Sequence, residues 1–210
     1  MQSYSQRVRD NILPLSVGST LPEAFEEWLF TDEVIDHDHK DEICELCEQD
    51  GLRYHFRIKN QLTNHHLWVG SHCILRFNVS VFEQGRRLSP EEAKRRLNRL
   101  EEQMRMESCI NALERVAATE NNDILKNALT YLRKNKNLTP KYAFVVLWRL
   151  KINQIDHNPG FFKITLKTAK QRSDLLSMDE SRVHLIWPAL TSTQRDIAIR
   201  LGHTPPRLRG

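Results

Sequence analysis

The sequence predicts an α+β protein, in which a small module made of a zinc knuckle and a β-hairpin precedes a mainly α-helical region. Cys44 and Cys47 stand two residues apart, and Cys73 follows two strand-like segments. From residue 89 onward, apolar residues recur at the spacing of a helix. We therefore expect two domains: an acidic N-terminal helix with the knuckle and hairpin in residues 1–85, and a basic, mainly helical domain in residues 86–210.

The first predicted element is a helix that begins at Pro22. Its apolar stripe comprises Ala24, Phe25, Trp28 and Leu29. Because these positions fall three or four residues apart, we expect one face of this helix to be buried. The stretch that follows, residues 32–50, is strongly acidic and contains the knuckle.

A β-hairpin is predicted after the knuckle. Residues 53–60 alternate between apolar and polar side chains, as in a half-buried strand, and residues 65–69 form the second strand after a four-residue polar connection. Gly70 is expected to let the chain turn sharply. Ser71 is expected to cap a helical turn that aims Cys73 back at the knuckle.

One long helix is predicted over residues 89–118. Ser89 and Pro90 are typical of a helix start, and apolar residues follow mostly at steps of three and four. Cys109 lies within this helix beside its apolar stripe, and we expect it to be a core thiol.

Shorter elements are predicted from capping chemistry. Helices are expected to start at Asn122 or Asp123, at Thr139 before Pro140, and at Thr191 or Ser192, the last one closed by Gly202. Residues 161–167 alternate like a strand, and residues 168–178 are expected to be helical.

The cysteines are the predicted ligands of a structural Zn²⁺. Zinc takes about four nitrogen or sulfur ligands in a tetrahedron, and a two-residue spacer lets both thiolates of a knuckle turn to one point. Cys44, Cys47 and Cys73 supply three ligands, and a histidine is expected as the fourth. The candidates are His37, His55, His65, His66 and His72. His37 is favoured, because the segment that leads into the knuckle can return to it.

The run CELCEQDGLRYHFRIKNQLTNHHLWVGSHCILRF resembles a cysteine-knuckle segment of uncharacterised bacterial, phage and mobile-element proteins, in which CxxC, a hairpin and VGSxC follow in that order. The resemblance covers roughly residues 28–77, with a weaker similarity in LTPKYA at residues 138–143. It implies a treble-clef-like or zinc-ribbon-like module with a helical extension that binds nucleic acid. It supplies no catalytic residue.

The charge distribution suits a polyanionic partner. Residues 1–50 contain three Lys/Arg and thirteen Asp/Glu, whereas residues 121–210 contain sixteen and six, so the overall charge of +4 hides a steep gradient. We therefore predict a non-enzymatic nucleic-acid-binding accessory or regulatory protein, with DNA favoured over RNA. The candidate phosphate contacts are Arg57, Lys59, Arg76, Arg133, Lys134, Lys136, Lys141, Lys163, Lys167, Lys170 and Arg172.

Two alternatives remain open. A protein–protein adaptor would use the acidic N-terminal segment, or would self-associate through the helix at residues 89–118. An HNH-like metal-dependent nuclease would need residue types present at Asp36, His37, Asn64, His65 and His66, but here the Asp-His pair precedes the knuckle, unlike the nuclease order. No P-loop, dinucleotide-binding fingerprint, nucleophile elbow or HExxH motif occurs, so no catalytic residue is predicted.

The composition favours a cytoplasmic protein without a membrane partner. The longest unbroken apolar stretch, residues 143–148, is far shorter than a membrane span, and the N-terminus lacks a signal pattern. Four cysteines with one close pair suit metal ligation in a reducing compartment better than a disulfide framework.

Overall fold

The structure is a computed structural model that describes residues 3–207. Its contacts divide the chain into two compact units, one that ends at Glu101 and one that begins at Glu102. The α+β class is confirmed, because the first unit contains a three-stranded antiparallel sheet and the second, as far as residue 207, is mainly helical. A boundary between separately folding domains at residue 85 stays a prediction.

The first unit consists of short helices packed around a small sheet. Its elements are α1 (Tyr4–Ile12), α2 (Leu21–Glu26), β1 (Trp28–Asp36), β2 (Tyr54–Asn60), β3 (His66–Val69), α3 (Ser71–Arg76), β4 (Phe82–Glu83), β5 (Arg86–Arg87) and the first part of α4 (Pro90–Thr119). The sheet order is β1-β2-β3, with both neighbouring pairs antiparallel. The predicted β2–β3 hairpin is confirmed.

The predicted helix after Pro22 is shorter than expected. Helix α2 ends at Glu26, and Trp28 begins strand β1, where it pairs with Asn60. The Trp28 side chain is completely buried. Pairing with a strand far along the chain therefore decides the structure of residues 28 and 29, although their spacing fits a helical stripe.

A buried polar cluster joins the segment before α2 to the sheet. The carboxylate of Glu27 accepts hydrogen bonds from the backbone amides of Val17 (3.0 Å) and Gly18 (2.6 Å) and from the side-chain amide of Asn60 (2.6 Å). Glu27 and Asn60 are both buried. A buried carboxylate is tolerated here because several donors replace its water.

The second unit is a helical bundle. It contains the remainder of α4, then α5 (Asp123–Asn135), α6 (Pro140–Ile152), α7 (Ala169–Leu176), α8 (Glu180–Ile186) and α9 (Ser192–Arg200). None of the helices among the described residues is long and apolar enough to cross a lipid bilayer.

Most helix starts match the predicted capping chemistry. The long helix α4 begins at Pro90, and the Ser89 hydroxyl accepts a hydrogen bond from the backbone amide of Glu92 at 3.3 Å. The side chains of Asn122, Thr139 and Thr191 cap α5, α6 and α9 in the same way. Helix α8 was not predicted.

Residues 161–167 do not form the predicted strand. Ile164 makes a single parallel bridge to Leu138, which lies in the connection between helices α5 and α6. Phe162, Ile164 and Leu166 are buried in the helical core, which explains their alternation without a sheet. The expectation for Cys109 is confirmed, because its side chain is buried in the same core.

Candidate metal centre and lysine group

The three predicted cysteine ligands lie together. The Cys73 sulfur is 3.7 Å from the Cys44 sulfur and 3.4 Å from the Cys47 sulfur, and all three side chains are buried. Tetrahedral zinc with Zn–S bonds near 2.3 Å requires sulfur–sulfur distances of about 3.8 Å. This three-thiol cluster, as we call it, can hold a metal ion.

Backbone hydrogen bonds shape the knuckle that carries two of the thiols. The amide of Cys44 donates to the carbonyl of Gln49 at 2.9 Å, and the amide of Glu48 donates to the carbonyl of Cys44 at 2.8 Å. The two arms of the knuckle are joined by paired hydrogen bonds between Glu42 and Leu52, at 2.9 and 3.2 Å. The knuckle is therefore a loop closed by backbone hydrogen bonds on both sides of its tip.

Cys73 reaches the knuckle from the first turn of helix α3. The order of knuckle, hairpin and helix-borne thiol is the treble-clef-like arrangement predicted for this module. Gly70, however, does not provide a special turn: it is extended, with φ −74° and ψ 151°, a conformation open to any residue. An added Cβ would instead approach the Leu52 side chain at 3.2 Å.

The cluster readily holds one thiolate. A hydrogen bond from the Cys73 thiol, aided by the backbone amides of Cys47, Gly70 and Leu46, lowers the pKa of Cys44 to about 5. Hydrogen bonding to Cys44, together with burial, raises the pKa of Cys73. Backbone amides aimed at a knuckle sulfur stabilise the charged form that a metal ion needs.

Helix α1 lies against the knuckle, which sequence reasoning missed. The Tyr4 hydroxyl is 3.8 Å from the Cys73 sulfur, the Arg7 side chain donates to the carbonyl of Cys47 at 3.0 Å, and the Asn11 side chain donates to the carbonyl of Leu46 at 3.1 Å. Burial and the nearby Cys73 raise the pKa of Tyr4. The polar residues at positions 4, 7 and 11 share one helix face. This spacing is the feature of the sequence that could have predicted a polar contact made by helix α1.

His37 does not join the three-thiol cluster. Its backbone amide donates to the carbonyl of Arg53 at 3.0 Å, which extends the pairing of β1 with β2 and places the imidazole beside His55. Its Nδ1 atom is 3.4 Å from a carboxylate oxygen of Glu42. Within residues 3–207, no histidine or carboxylate completes the set of three thiols.

The basic candidates of the first unit are largely engaged. Arg57 forms an ion pair with Glu33 at 2.7 Å, and its guanidinium lies 5.9 Å from the ring centre of Trp68. The guanidinium of Arg76 lies 4.2 Å from the ring centre of Tyr4. Lys59 is half-buried on β2. Arg57 and Arg76 thus contact aromatic rings of the first unit.

Three basic candidates of the second unit are also engaged. Arg133 forms ion pairs with Glu107 at 2.8 Å and Glu114 at 2.6 Å. Lys141 pairs with Asp174 at 2.8 Å. Arg172 donates to a backbone carbonyl at 3.0 Å.

The other five candidates are exposed and form no ion pair within the part of the chain that the structure describes. We call them the lysine group: Lys134, Lys136, Lys163, Lys167 and Lys170. The bridge between Leu138 and Ile164 brings two of their segments together, because the amide of Leu138 donates to the carbonyl of Lys163 at 2.8 Å. Two lysine-bearing stretches separated by more than twenty residues are thus joined through their backbones.

Comparison with known proteins gives no relative for this chain. No protein-family model, curated protein or solved structure matches the chain. The functional features on which an inference can rest are therefore the three-thiol cluster in the first unit and the lysine group in the second.

Proposed function

We propose that this chain is a nucleic-acid-binding protein, in which the lysine group contacts backbone phosphates and the three-thiol cluster holds a structural Zn²⁺. The observation that carries the proposal is that five lysines, gathered from two segments of one unit, are exposed without carboxylate partners among the described residues. Lysines without a counter-charge are available to neutralise phosphates.

Duplex DNA is the nucleic acid that we propose as the ligand. Lysine acts on a phosphate as a compact point charge, without the paired geometry that an arginine offers. A binding surface of point charges responds mainly to charge density, and duplex DNA presents a dense, regular array of phosphates. Contacts of this kind position a protein on the duplex and carry little sequence information.

Zinc is the metal that fits the three-thiol cluster best. Cysteine thiolates are soft ligands, and buried sets of them are typical of structural zinc sites. In this role the metal joins the knuckle to helix α3 and has no part in any reaction. Its contribution to nucleic-acid binding is to stabilise the first unit.

Salt-titrated binding tests the lysine group. Each phosphate contact contributes about 0.9 to the slope of log affinity against log salt for duplex DNA. We expect the variant K134E/K136E/K163E to bind duplex DNA more weakly than the unmodified chain and with a shallower slope, by about 2 to 3. Single-stranded DNA and RNA of equal length are compared in parallel.

A matched control separates this group from net charge. The variant K94E/K151E/R200E makes the same charge change at exposed positions outside the lysine group. It should retain most of the affinity. An equal loss in both variants, or no binding of the unmodified chain at low salt, would overturn the proposal.

A further inference from the structure

We propose a second metal site in the first unit, formed by His37, Glu42 and His55 and distinct from the three-thiol cluster. Each of the three residues can place one ligand atom within 4.8 Å of the other two. Two imidazoles and one carboxylate form a mixed nitrogen and oxygen set that differs in chemistry from the three thiols.

Backbone pairing holds all three residues in place. His37 follows β1 and is bonded through its amide to the carbonyl of Arg53, Glu42 is paired with Leu52 at the base of the knuckle, and His55 lies within β2. The rings of His37 and His55 meet edge to face, with centres 5.0 Å apart. Because these segments are already fixed, a metal ion would cost little reorganisation of the chain.

Hydrogen bonding prepares His55 to act as a ligand. Its Nε2 atom lies 3.1 Å from the carbonyl oxygen of Ile43. A carbonyl only accepts, so in the neutral ring Nε2 carries the proton and Nδ1 keeps its lone pair. Metal-bound histidines characteristically donate their other ring nitrogen to a carbonyl or carboxylate in this way.

His37 has a nitrogen that lacks a partner. Its Nε2 atom is buried and makes no hydrogen bond within the described part of the chain, while its Nδ1 atom lies 3.4 Å from Glu42. A buried polar atom without a partner is costly. A metal ion bound between the imidazoles and the carboxylate would take one nitrogen of each ring and one carboxylate oxygen as ligands.

The ligand set selects a class of metal. Imidazole with carboxylate suits divalent transition ions such as Zn²⁺, Co²⁺ or Ni²⁺ better than Mg²⁺ or Ca²⁺, which prefer oxygen ligands throughout. Three protein ligands leave coordination positions for water or for an oxygen of another molecule.

The charged groups nearby lie outside the proposed ligand set, and one of them shares the Glu42 ligand with it. Asp36 is held by the guanidinium of Arg53 at 2.7 Å. His39 and Asp41 form an outer, exposed group that shares Glu42. The buried position of His55 distinguishes the proposed site from this outer group.

Titration of the full chain with Co²⁺ tests the proposal. We expect two ions per chain, of which only one produces thiolate-to-cobalt charge-transfer absorption. The variants H37Q and H55Q should lose the second ion, whereas H39Q, which affects only the outer group, should retain both. The thiolate absorption of H37Q reports that its knuckle is folded. If H55Q proves unstable, H37Q alone therefore still tests the proposal.

Three results would overturn the proposal. They are the binding of a single Co²⁺, with thiolate absorption, by the unmodified chain, retention of two ions by a folded H37Q variant, and loss of the second ion in H39Q. None of these measurements involves nucleic acid, so the second metal site and the proposed binding of DNA succeed or fail separately.

Discussion

The hydroxyl of Tyr4 lies 3.8 Å from the sulfur of Cys73, although 69 residues separate them in the chain. The Tyr4 ring also stacks on Phe77, with ring centres 6.2 Å apart, and lies beneath the guanidinium of Arg76. Helix α1 therefore packs against the three-thiol cluster, together with the knuckle and helix α3.

Replacement of Tyr4 by phenylalanine should remove only the hydroxyl contact with Cys73. We expect the free energy of unfolding to fall by about 1 kcal/mol, the usual value of one such hydrogen bond. Tyr4→Ala should cost more, because the ring then no longer contacts Arg76 and Phe77. Urea denaturation of the two variants checks this order, and a phenylalanine variant as stable as the unmodified chain would contradict it.

Replacement of Cys47 by serine should abolish metal binding at the three-thiol cluster. Without the metal, we expect faster amide hydrogen exchange in residues 3–101 and little change in residues 102–207, since the cluster lies wholly in the first unit. Elemental analysis and hydrogen exchange measure the two effects. Cys109→Ser is the matched control and should keep its metal, because Cys109 lies in the helical core.

Glu27 should make the first unit sensitive to acid. Burial alone would raise the pKa of Glu27, but hydrogen bonds from Val17, Asn60 and Gly18 outweigh it and hold the pKa below the ordinary value of 4.5. Because the folded state binds the proton less tightly than the unfolded state, this contribution to stability is complete above pH 4.5 and is lost as the pH falls through the folded pKa.

Glu27→Gln should reduce stability at pH 7 by about 2 kcal/mol, since a neutral amide replaces an acceptor of several bonds. Below pH 4 the difference between the variant and the unmodified chain should shrink. Thermal unfolding between pH 3 and pH 7 tests this, and a difference that stays constant with pH would assign the stabilisation to the shape of the side chain and not to its charge.

Substitution by alanine should destabilise the protein to different degrees at two glycines, Gly18 and Gly70. A Cβ at Gly18 would lie 2.7 Å from the Cβ of Glu23 and 2.8 Å from the backbone nitrogen of Ala24, which cannot move aside cheaply. We expect Gly18→Ala to cost about 1 to 3 kcal/mol. Gly70→Ala meets only the flexible Leu52 side chain, so it should cost less and leave metal content unchanged. Equal destabilisation of the two variants would show that backbone contact does not govern the effect.

The elements that sequence reasoning found are those specified by neighbouring residues. The alternation of residues 53–60 predicted β2, and Thr139 before Pro140 predicted the start of α6. Two cysteines with a two-residue spacer predicted the knuckle, and Cys73 was assigned to it from its place after the hairpin. In each case the decisive interaction lies within a few residues or within one hairpin.

The features that were missed depend on distant contacts. Trp28 fits a helical stripe but pairs with Asn60, and Tyr4 acquires its role only through Cys73. His37 was assigned to the thiols because the segment that leads into the knuckle can return to it, yet the register of β1 on β2 places it beside His55. Strand register and helix docking are properties of the folded chain that local spacing does not encode.

The placement of Tyr4 beside the thiols has a practical consequence for purification. A polyhistidine tag fused ahead of residue 1 would stand only a few residues before Tyr4 in the chain and would offer competing imidazoles to the same ions. Metal stoichiometries measured on such a fusion would count ions held by the tag. A tag that is cleaved off before the measurement leaves the three-thiol cluster with only the ligands that the chain itself supplies.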